Sequence, residues 1–395
     1  MGTPSGTTPS RRIDIADILR GFAVMGIIVL HSIEHYNFYS FPEVTGEWLK
    51  FTDTVIWESM FFTFGGKAYA IFALLFGFSF FIQENRQREK GKDFRGRFAW
   101  RLVLLFVLGN INAMFFTAEI LVMYSIVGFV LIAVCRWSTR WILLIATLLM
   151  LQPIACWDVF SALTDPAYTG GKQLAGYYFT QAFAVQENGT FWETLKMNLW
   201  EGQLASLTWA WEHGRIFQTA ALFMFGMLIG RTGKFLYSEE NMKFWFRALL
   251  TGILVFFPLT GLVSILPEFI SNTAVTIPLN LILQSLANLA FMVFMISILI
   301  LLFYSSKIAR LMRKLIPYGR MSLTDYITQS IIGSLLFYGW GFALHKHLGI
   351  TASFLIGIVL FILQYGFACW WMKSHKNGPF EWLWKKATWI GGKKQ

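Results

Sequence analysis

The chain has 395 residues, a formal net charge of +11, 56% hydrophobic residues and only 14% charged residues. Soluble domains carry about 25% charged residues, so the composition excludes an ordinary soluble protein. Apolar runs of the length that crosses a bilayer, about 20 residues, recur from end to end. The sequence therefore predicts one all-α domain over residues 1–395, a polytopic membrane helical bundle.

We expect about ten transmembrane helices, with a short polar tail before the first. The predicted spans are 15–34, 56–82, 98–116, 118–135, 140–156, 215–231, 243–265, 278–304, 321–343 and 352–372. The second span is long and contains Gly65-Gly66-Lys67, which predicts a break or a strong tilt. The fourth is short, and a re-entrant pair with the third is the alternative.

The distribution of Lys and Arg predicts the orientation of these helices. With the amino terminus in the cytoplasm, 27 of the 33 basic residues fall in cytoplasmic segments. The other side has five, and Lys67 lies within a span. Because cytoplasmic loops carry an excess of Lys and Arg, we expect both termini in the cytoplasm. The basic residues then face an anionic leaflet, and no nucleic-acid partner is needed to explain them.

Three segments are predicted to lie outside the bilayer. Residues 1–12 form a cytoplasmic tail, 157–214 an external region and 374–395 a cytoplasmic interfacial anchor rich in Trp and Lys. Within the external region, Phe191 to Trp211 is typical of an amphipathic helix at the interface. A lid over an external cavity is the alternative for that region.

The first span carries polar residues at both ends. Asp17 and Arg20 lie near its start, and its apolar run stops at His31, eleven residues after Arg20. At 1.5 Å per residue that is about 16 Å along a helix, or half a bilayer. Arg20 suits a phosphate-bearing ligand, although an interfacial salt bridge is the simpler interpretation. His31 suits a general base or nucleophile, and a structural histidine is the alternative.

No metal centre is predicted. His31 and His35 stand at i and i+4, a spacing that zinc can use, but the sequence shows no evident third ligand.

Further polar residues lie where the bilayer is expected, and such residues are functional candidates because they are costly there. They include Lys67, Asn112, Glu119, Asp325 and Gln329. Asn280, Gln284 and Asn288 share one helix face, which indicates either hydrogen bonds between helices or the lining of a polar tunnel. Two clusters, Glu212 to Arg215 and His345 to His347, lie close to loops, and His345 and His347 are typical of solvated loop residues.

Four motifs resemble the YeiB-like family, called domain of unknown function 418. Asp17 to Ala23 (DILRGFA) is similar to its LDxLRGFA opening, and Lys67 to Gly77 to the block before its basic loop. Glu119 to Tyr124 resembles its GDIL…Y motif. The most specific likeness joins Gly319–Ser330 with Gly378–Lys386. The resemblance covers essentially the whole chain and implies a multi-pass protein of the bacterial cytoplasmic membrane.

The family is in turn remotely similar to membrane acyltransferases that use cytosolic acyl-CoA. Their RGxA opening, with a histidine eleven residues after the arginine, is matched by Arg20, Gly21, Ala23 and His31. Three positions depart from the YeiB-like pattern. Glu119 replaces an aspartate, Asp325 stands where asparagine is commoner, and Asn112 where histidine is frequent.

The resemblance implies acyl transfer from acyl-CoA, as a substrate, to a hydroxyl or amine of a glycan or lipid at the external side. Candidate catalytic residues are His31, Glu119 and Asp325, with Glu34, Glu58 or Glu119 orienting His31. Candidate binding residues are Asp17, Arg20, Lys67, Arg97, Arg101, Asn112, Arg320 and Gln329. No covalent cofactor is expected. The alternatives are a transporter or flippase for a lipid-like or acidic molecule, and a non-enzymatic membrane partner or sensor.

Overall fold

The chain folds into α-helices with short π and 3-10 turns and, over the described residues, no β-strand. The structure is a computed structural model that describes residues 13–43, 46–171, 173–305 and 307–390. The predicted tail at 1–12, the last five residues of the predicted anchor, and Lys172 lie outside the described residues.

The first half of the described chain begins with four helices of 18 to 21 residues, and seven shorter helices follow. They are α1 Asp14–Ile33, α2 Glu47–Phe64, α3 Ala68–Arg88, α4 Arg95–Ala113, α5 Leu121–Val127, α6 Phe129–Val134, α7 Thr139–Met150, α8 Pro153–Thr164, α9 Ala175–Asn188, α10 Phe191–Met197 and α11 Gln203–Glu212. A π-helical turn, Asn198–Gly202, joins α10 to α11. The predicted helix from Phe191 to Trp211 is therefore confirmed, with one π turn inside it.

The second half contains the longest helices. They are α12 Arg215–Arg231, α13 Glu239–Phe269, α14 Thr273–Ser305, α15 Ala309–Met312, α16 Ile316–Arg320, α17 Ser322–Phe337, α18 Ile350–Trp371 and α19 Pro379–Thr388. Single 3-10 turns lie at Arg313–Leu315 and Leu344–Lys346.

Five spans among the described residues are long and apolar enough to cross a bilayer, or six if the bent pair α7–α8 is one span. The five are α1, α2 with α3, α13, α14 and α18. These helices indicate a membrane protein. The number is below the predicted ten for three reasons. Helix α4 begins with three arginines, α12 and α17 have only 17 and 16 residues, and the span 118–135 is two short helices.

Two of the predicted spans, 56–82 and 140–156, are interrupted in the structure. The predicted break at Gly65-Gly66-Lys67 is confirmed, because α2 ends at Phe64 and α3 begins at Ala68. The predicted span 140–156 is wrong as a single helix. Its chain bends by 50° between α7 and α8, where Gln152 adopts φ +58° ahead of Pro153.

Helix α1 is the innermost of the long spans. Within the apolar 18-residue stretch of each helix, 78% is buried in α1, against 11% in α13 and 28% in α18. It crosses α16 with the two backbones in contact, since a Cβ on Gly319 would lie 1.8 Å from the carbonyl oxygen of Asp17. The side chains of α1 are therefore held between neighbouring helices and have little freedom to move.

The basic loops meet at one end of the bundle, which we call the basic end. Arg136 pairs with Asp93 at 3.1 Å, and Arg231 donates to the carbonyl of Trp137 at 2.8 Å. Helix α19 joins this end, where Trp384 Nε1 donates to the carbonyl of Arg101 at 3.0 Å. At the opposite, distal end Gly339 N donates to Gln186 O at 2.8 Å. The loops that were predicted to share one side of a membrane thus share one end of the molecule.

Candidate functional site

A compact charge network lies where α1, α3 and α16 meet at the basic end. Arg20 Nη1 lies 2.5 Å from Asp17 Oδ1, and its Nη2 donates to Ser79 Oγ at 2.7 Å. Arg320 Nε approaches the other oxygen, Asp17 Oδ2, at 3.2 Å. The Asp17 side chain is buried, while those of Arg20 and Arg320 are 22% and 28% exposed. Two guanidinium groups share one carboxylate, which leaves one positive charge in excess.

Two further predicted phosphate ligands serve α19 instead. Arg97 Nη1 donates to the carbonyls of Thr388 and Ile390 at 3.3 and 3.1 Å. The Arg101 guanidinium lies 3.7 Å from the centre of the Trp384 ring. Both side chains therefore hold the carboxy-terminal helix in the structure, whereas Arg20 and Arg320 lie beside Asp17.

His31 lies one turn from the end of α1, against α17. Its Nδ1 is 3.5 Å from Gln329 Nε2, and its ring centre is 4.6 Å from that of Phe116. The backbone of Gln329 is fixed in turn, because its carbonyl accepts from the Tyr36 hydroxyl at 2.9 Å. His31 and Gln329 are thus neighbours across two helices, a contact that the sequence did not predict, and no carboxylate among the described residues forms an ion pair with His31.

Glu34 and Glu58, two of the carboxylates that were considered for orienting His31, form no ion pair with it in the described part of the chain. Glu34 pairs with His35, with Oε1 2.6 Å from Nδ1, and Glu58 is exposed on α2. The structure does place a third possible metal ligand, the carboxylate of Glu34, beside the pair His31 and His35. The ligand atoms of His31, Glu34 and His35 all lie within 4.8 Å of one another. These three are the residues that could hold a metal ion, and the order His-x-x-Glu-His was the signal for Glu34 that the sequence contained.

Glu119 is buried in the segment between α4 and α5. Asn112 donates its side-chain amide to one carboxylate oxygen, and the backbone N–H of Leu121 donates to the other. The carbonyl of Glu119 accepts from Ser206 Oγ at 3.0 Å. Two predicted site residues, Asn112 and Glu119, are therefore direct partners.

Asp325 lies on α17 one turn before Gln329 and is 1% exposed. Its carbonyl accepts from Gln364 Nε2 at 3.0 Å. Its Oδ2 atom is buried without a hydrogen-bond partner among the described residues. Asp325 and Gln329 are thus stacked along one helix, with Gln329 the nearer to His31.

Lys67 lies in the break between α2 and α3 and is 6% exposed. Its Nζ donates to the carbonyl of Phe61 at 3.3 Å and lies 5.9 and 5.5 Å from the ring centres of Phe62 and Phe291. No carboxylate among the described residues lies within ion-pair distance of the Lys67 Nζ atom.

A second polar site, which sequence reasoning missed, surrounds Arg215 at the start of α12. Arg215 lines a cavity of about 300 Å³ together with the stripe Asn280, Gln284 and Asn288 of α14. The stripe therefore lines a polar space, one of the two interpretations left open by its spacing. Sequence reasoning grouped Arg215 with Glu212 in a loop-proximal cluster and gave it no role, although its place at the first residue of an apolar helix was a signal that distinguished it.

The comparisons with known proteins find relatives whose descriptions name no activity. Residues 229–391 match the family model described as "Protein of unknown function (DUF418)". The uncharacterized protein YxaH of Bacillus subtilis is 23% identical, over 99% of this chain and 97% of its own length. YeiB of Escherichia coli is 36% identical over 70 residues, 18% of either chain.

An uncharacterized 39.9 kDa protein from the amylase 3' region of Bacillus acidopullulyticus is 24% identical over 95% of this chain and 94% of its length. No solved structure matches the chain significantly. The resemblance to the YeiB-like family is thereby confirmed. None of these descriptions names an acyltransferase.

Proposed function

We propose that this YeiB-like protein is a multi-pass enzyme of the bacterial cytoplasmic membrane that transfers an acyl group. The donor is cytosolic acyl-CoA, and the acceptor is a hydroxyl or amine of a glycan or lipid at the external side. The observation that carries the proposal is the arrangement of α1. One buried helix holds the Arg20–Asp17–Arg320 network at the basic end and His31 about 16 Å further along its axis.

The orientation that we propose places the basic end in the cytoplasm, with about ten spans and both termini inside. The excess of Lys and Arg at that end supports it. The excess positive charge beside Asp17 then faces the compartment that contains CoA phosphates, and Arg20 and Arg320 can each present a planar fork to them. The acyl thioester extends along α1 towards His31.

In the proposed reaction His31 acts as the general base. The imidazole takes the proton of the acceptor hydroxyl or amine as that atom attacks the thioester carbonyl. The C–S bond breaks, a C–O or C–N bond forms, and the CoA thiolate leaves and takes up the proton. If the side-chain amide of Gln329 is flipped by 180°, its Oε1 atom accepts a hydrogen bond from Nδ1–H of His31. The unprotonated Nε2 of His31 is then free to act as the base.

The test is CoA release by the purified protein in proteoliposomes, with acetyl-CoA and palmitoyl-CoA as donor probes and a bacterial lipid and glycan extract as acceptor. We expect His31→Ala to reduce turnover at least 100-fold, in the range that general bases contribute. His347→Ala, an exposed histidine at the distal end, is the matched control and should retain full turnover. A folded His31→Ala protein with full turnover would eliminate this mechanism.

Two variants separate binding from chemistry. Arg20→Gln should raise KM for acyl-CoA and change kcat little, because in this proposal the guanidinium binds the donor's phosphates and takes no part in the proton transfer at His31. Gln329→Leu should lower kcat with KM unchanged, because Gln329 positions His31. Equal effects of both variants on KM and kcat would mean that they act only through stability.

A transporter or flippase for a lipid-like or acidic molecule is the second candidate. The observation that favours it is the polar cavity beside Arg215, which acyl transfer at His31 does not require. It predicts flux of the solute in proteoliposomes without consumption of CoA. CoA binding at the basic end without any flux would remove this candidate.

A further inference from the structure

The cavity beside Arg215 is lined by both polar and apolar side chains. Its polar lining includes Arg215 and Gln218 of α12 and three amides of α14. Its apolar lining is Val263, Ile277 and Leu281. From Asn280 to Asn288 the polar stripe extends about 12 Å along α14. The cavity, about 300 Å³ in volume, therefore offers contacts both for a charged group and for a hydrocarbon chain.

The guanidinium of Arg215 is held in place before any ligand arrives. It lies 4.8 Å from the ring centre of Tyr69 and 5.3 Å from that of Trp209. Its Nη1 donates to Gln218 Oε1 at 2.8 Å, and Tyr69 donates its hydroxyl to the same oxygen. Its buried Nε has no hydrogen-bond partner among the described residues. A fixed fork with unused donors is the geometry that binds oxyanions bidentately.

No carboxylate neutralises this guanidinium within the part of the chain that the structure describes. Glu212 also lines the cavity, but its oxygens accept from the backbone N–H groups of Leu174 and Ala175, at 2.6 Å and 3.2 Å for Oε1. An uncompensated cation is costly in an apolar bundle. The cost falls when an anionic ligand occupies the site.

A second cation stands beside the cavity, next to Gly66. A Cβ on Gly66 would lie 2.9 Å from Asn288 Nδ2 and 3.3 Å from Arg215 Nη2, and its φ is +72°. The backbone at the break thus touches two cavity residues, and Lys67 follows directly. Lys67 does not line the cavity, but its charge adds to the positive potential there.

Helix α13 contributes one apolar residue, Val263, to the cavity lining. The outward face of this helix carries exposed apolar side chains, such as Leu254 at 71% and Phe257 at 63%, as a lipid-facing helix does. Val263 lies on the same helix at the cavity wall. A molecule with a polar head in the cavity can therefore keep its tail against apolar surface.

We infer that this cavity is a binding site for a phosphate-type oxyanion carried by an amphiphilic molecule, with Arg215 as the main donor and the amides of α14 as additional donors. A lipid headgroup and a free phosphate share this chemistry, and the experiment separates them. The site is distinct from His31 and does not depend on acyl transfer at that residue.

The test uses the full-length protein in nanodiscs of neutral phosphatidylcholine, with two probes. Dioleoyl phosphatidate is titrated and followed by native mass spectrometry, and inorganic [32P]phosphate is followed by equilibrium dialysis. We expect Arg215→Gln to weaken phosphatidate binding at least tenfold. Gln284→Leu, which keeps the arginine, should weaken it severalfold and serves if Arg215→Gln fails to fold.

Arg313→Gln is the matched control. Arg313 is exposed at the basic end and also stacks on an aromatic ring, with its guanidinium 5.3 Å from the centre of Phe303. Binding of inorganic phosphate that requires Arg215 would support the site with a free phosphate as its ligand. Failure of both probes to bind, or equal binding by Arg215→Gln and Arg313→Gln, would overturn the inference. CoA release measured in parallel reports separately on His31.

Discussion

The arginines at the basic end and the arginine of the Arg215 cavity differ in whether a carboxylate lies beside them. At the basic end Arg20 and Arg320 both approach the carboxylate of Asp17, at 2.5 and 3.2 Å. In the cavity Arg215 meets two aromatic rings and an amide oxygen, but no carboxylate among the described residues. The cations at the basic end are partly neutralised by Asp17, and their network ties three helices together. Within the described residues the Arg215 guanidinium lacks such a carboxylate, and a preorganised cation of this kind is typical of an oxyanion-binding site.

The largest expected effect is the loss of the shared carboxylate at the basic end. Asp17→Asn leaves Arg20 and Arg320 facing each other without a counter-ion where α1 meets α3 and α16. We expect a loss of roughly 3 kcal/mol in the free energy of unfolding, because breaking a buried pair strands its partner charges. Reversible unfolding in mixed micelles measures it.

The control for Asp17 is Asp93→Asn at the same end of the molecule. Asp93 pairs with Arg95 and Arg136 on an exposed loop, where ion pairs contribute little. Equal destabilisation by the two variants would show that the burial of Asp17 does not matter.

The second prediction introduces a carboxylate beside Arg215, as Asp17 lies beside Arg20 at the basic end. Gln218→Glu places a carboxylate where Arg215 Nη1 now donates to an amide oxygen at 2.8 Å. We expect phosphatidate binding to fall at least tenfold, because the new carboxylate occupies the fork. The free energy of unfolding should stay within about 1 kcal/mol, since desolvation offsets the new pair. Undiminished binding would show that the guanidinium is not the anion ligand.

The third prediction concerns a carboxylate that serves the backbone at the basic end. Glu381 of α19 accepts from the N–H groups of Leu323 and Thr324 at 2.7 and 3.1 Å, at the start of α17. Glu381→Ala should cost about 1 kcal/mol, as the loss of a helix cap does. Glu381→Gln keeps an acceptor oxygen and should cost less. The same micelle unfolding assay compares the two variants.

The smallest effect is a pH dependence at Asp93. Hydrogen bonds from Arg95 lower the pKa of this carboxyl from 3.8 to about 2. Its contribution to stability is therefore complete above pH 4 and is lost as the pH falls towards 2. The stability difference between the wild type and Asp93→Asn should shrink over that interval in acid titration, and a constant difference would argue against the pairing with Arg95.

The sequence predicted the helical class, the grouping of the basic loops and the break at Gly65-Gly66-Lys67. These follow from hydropathy, charge and glycine content, which are local properties. It named both His31 and Gln329 as site residues, but it did not predict that they lie beside each other. The bend at Gln152 was not predicted, because a left-handed residue before a proline depends on the packing of the segments around it.

The partners of individual side chains were harder to foresee. Arg97 and Arg101 were assigned to phosphates, yet they contact the last helix of the chain, nearly 300 positions away. Arg215 was overlooked because Tyr69 and Trp209, which fix its guanidinium, come from distant segments. Spacing along one helix reveals a polar stripe, whereas the space that the stripe lines exists only after other helices have packed against it.

The contacts of α19 have a consequence for biosynthesis. Glu381 caps α17, Trp384 covers Arg101, and the carbonyl of Thr388 accepts from Arg97. All three partners emerge from the ribosome before α19 does. The basic loop after α3 and the start of α17 therefore remain without these contacts until α19 has been translated. Helix α19 thus completes the basic end after its partners have been synthesised, and a chain that stops before α19 lacks all three contacts.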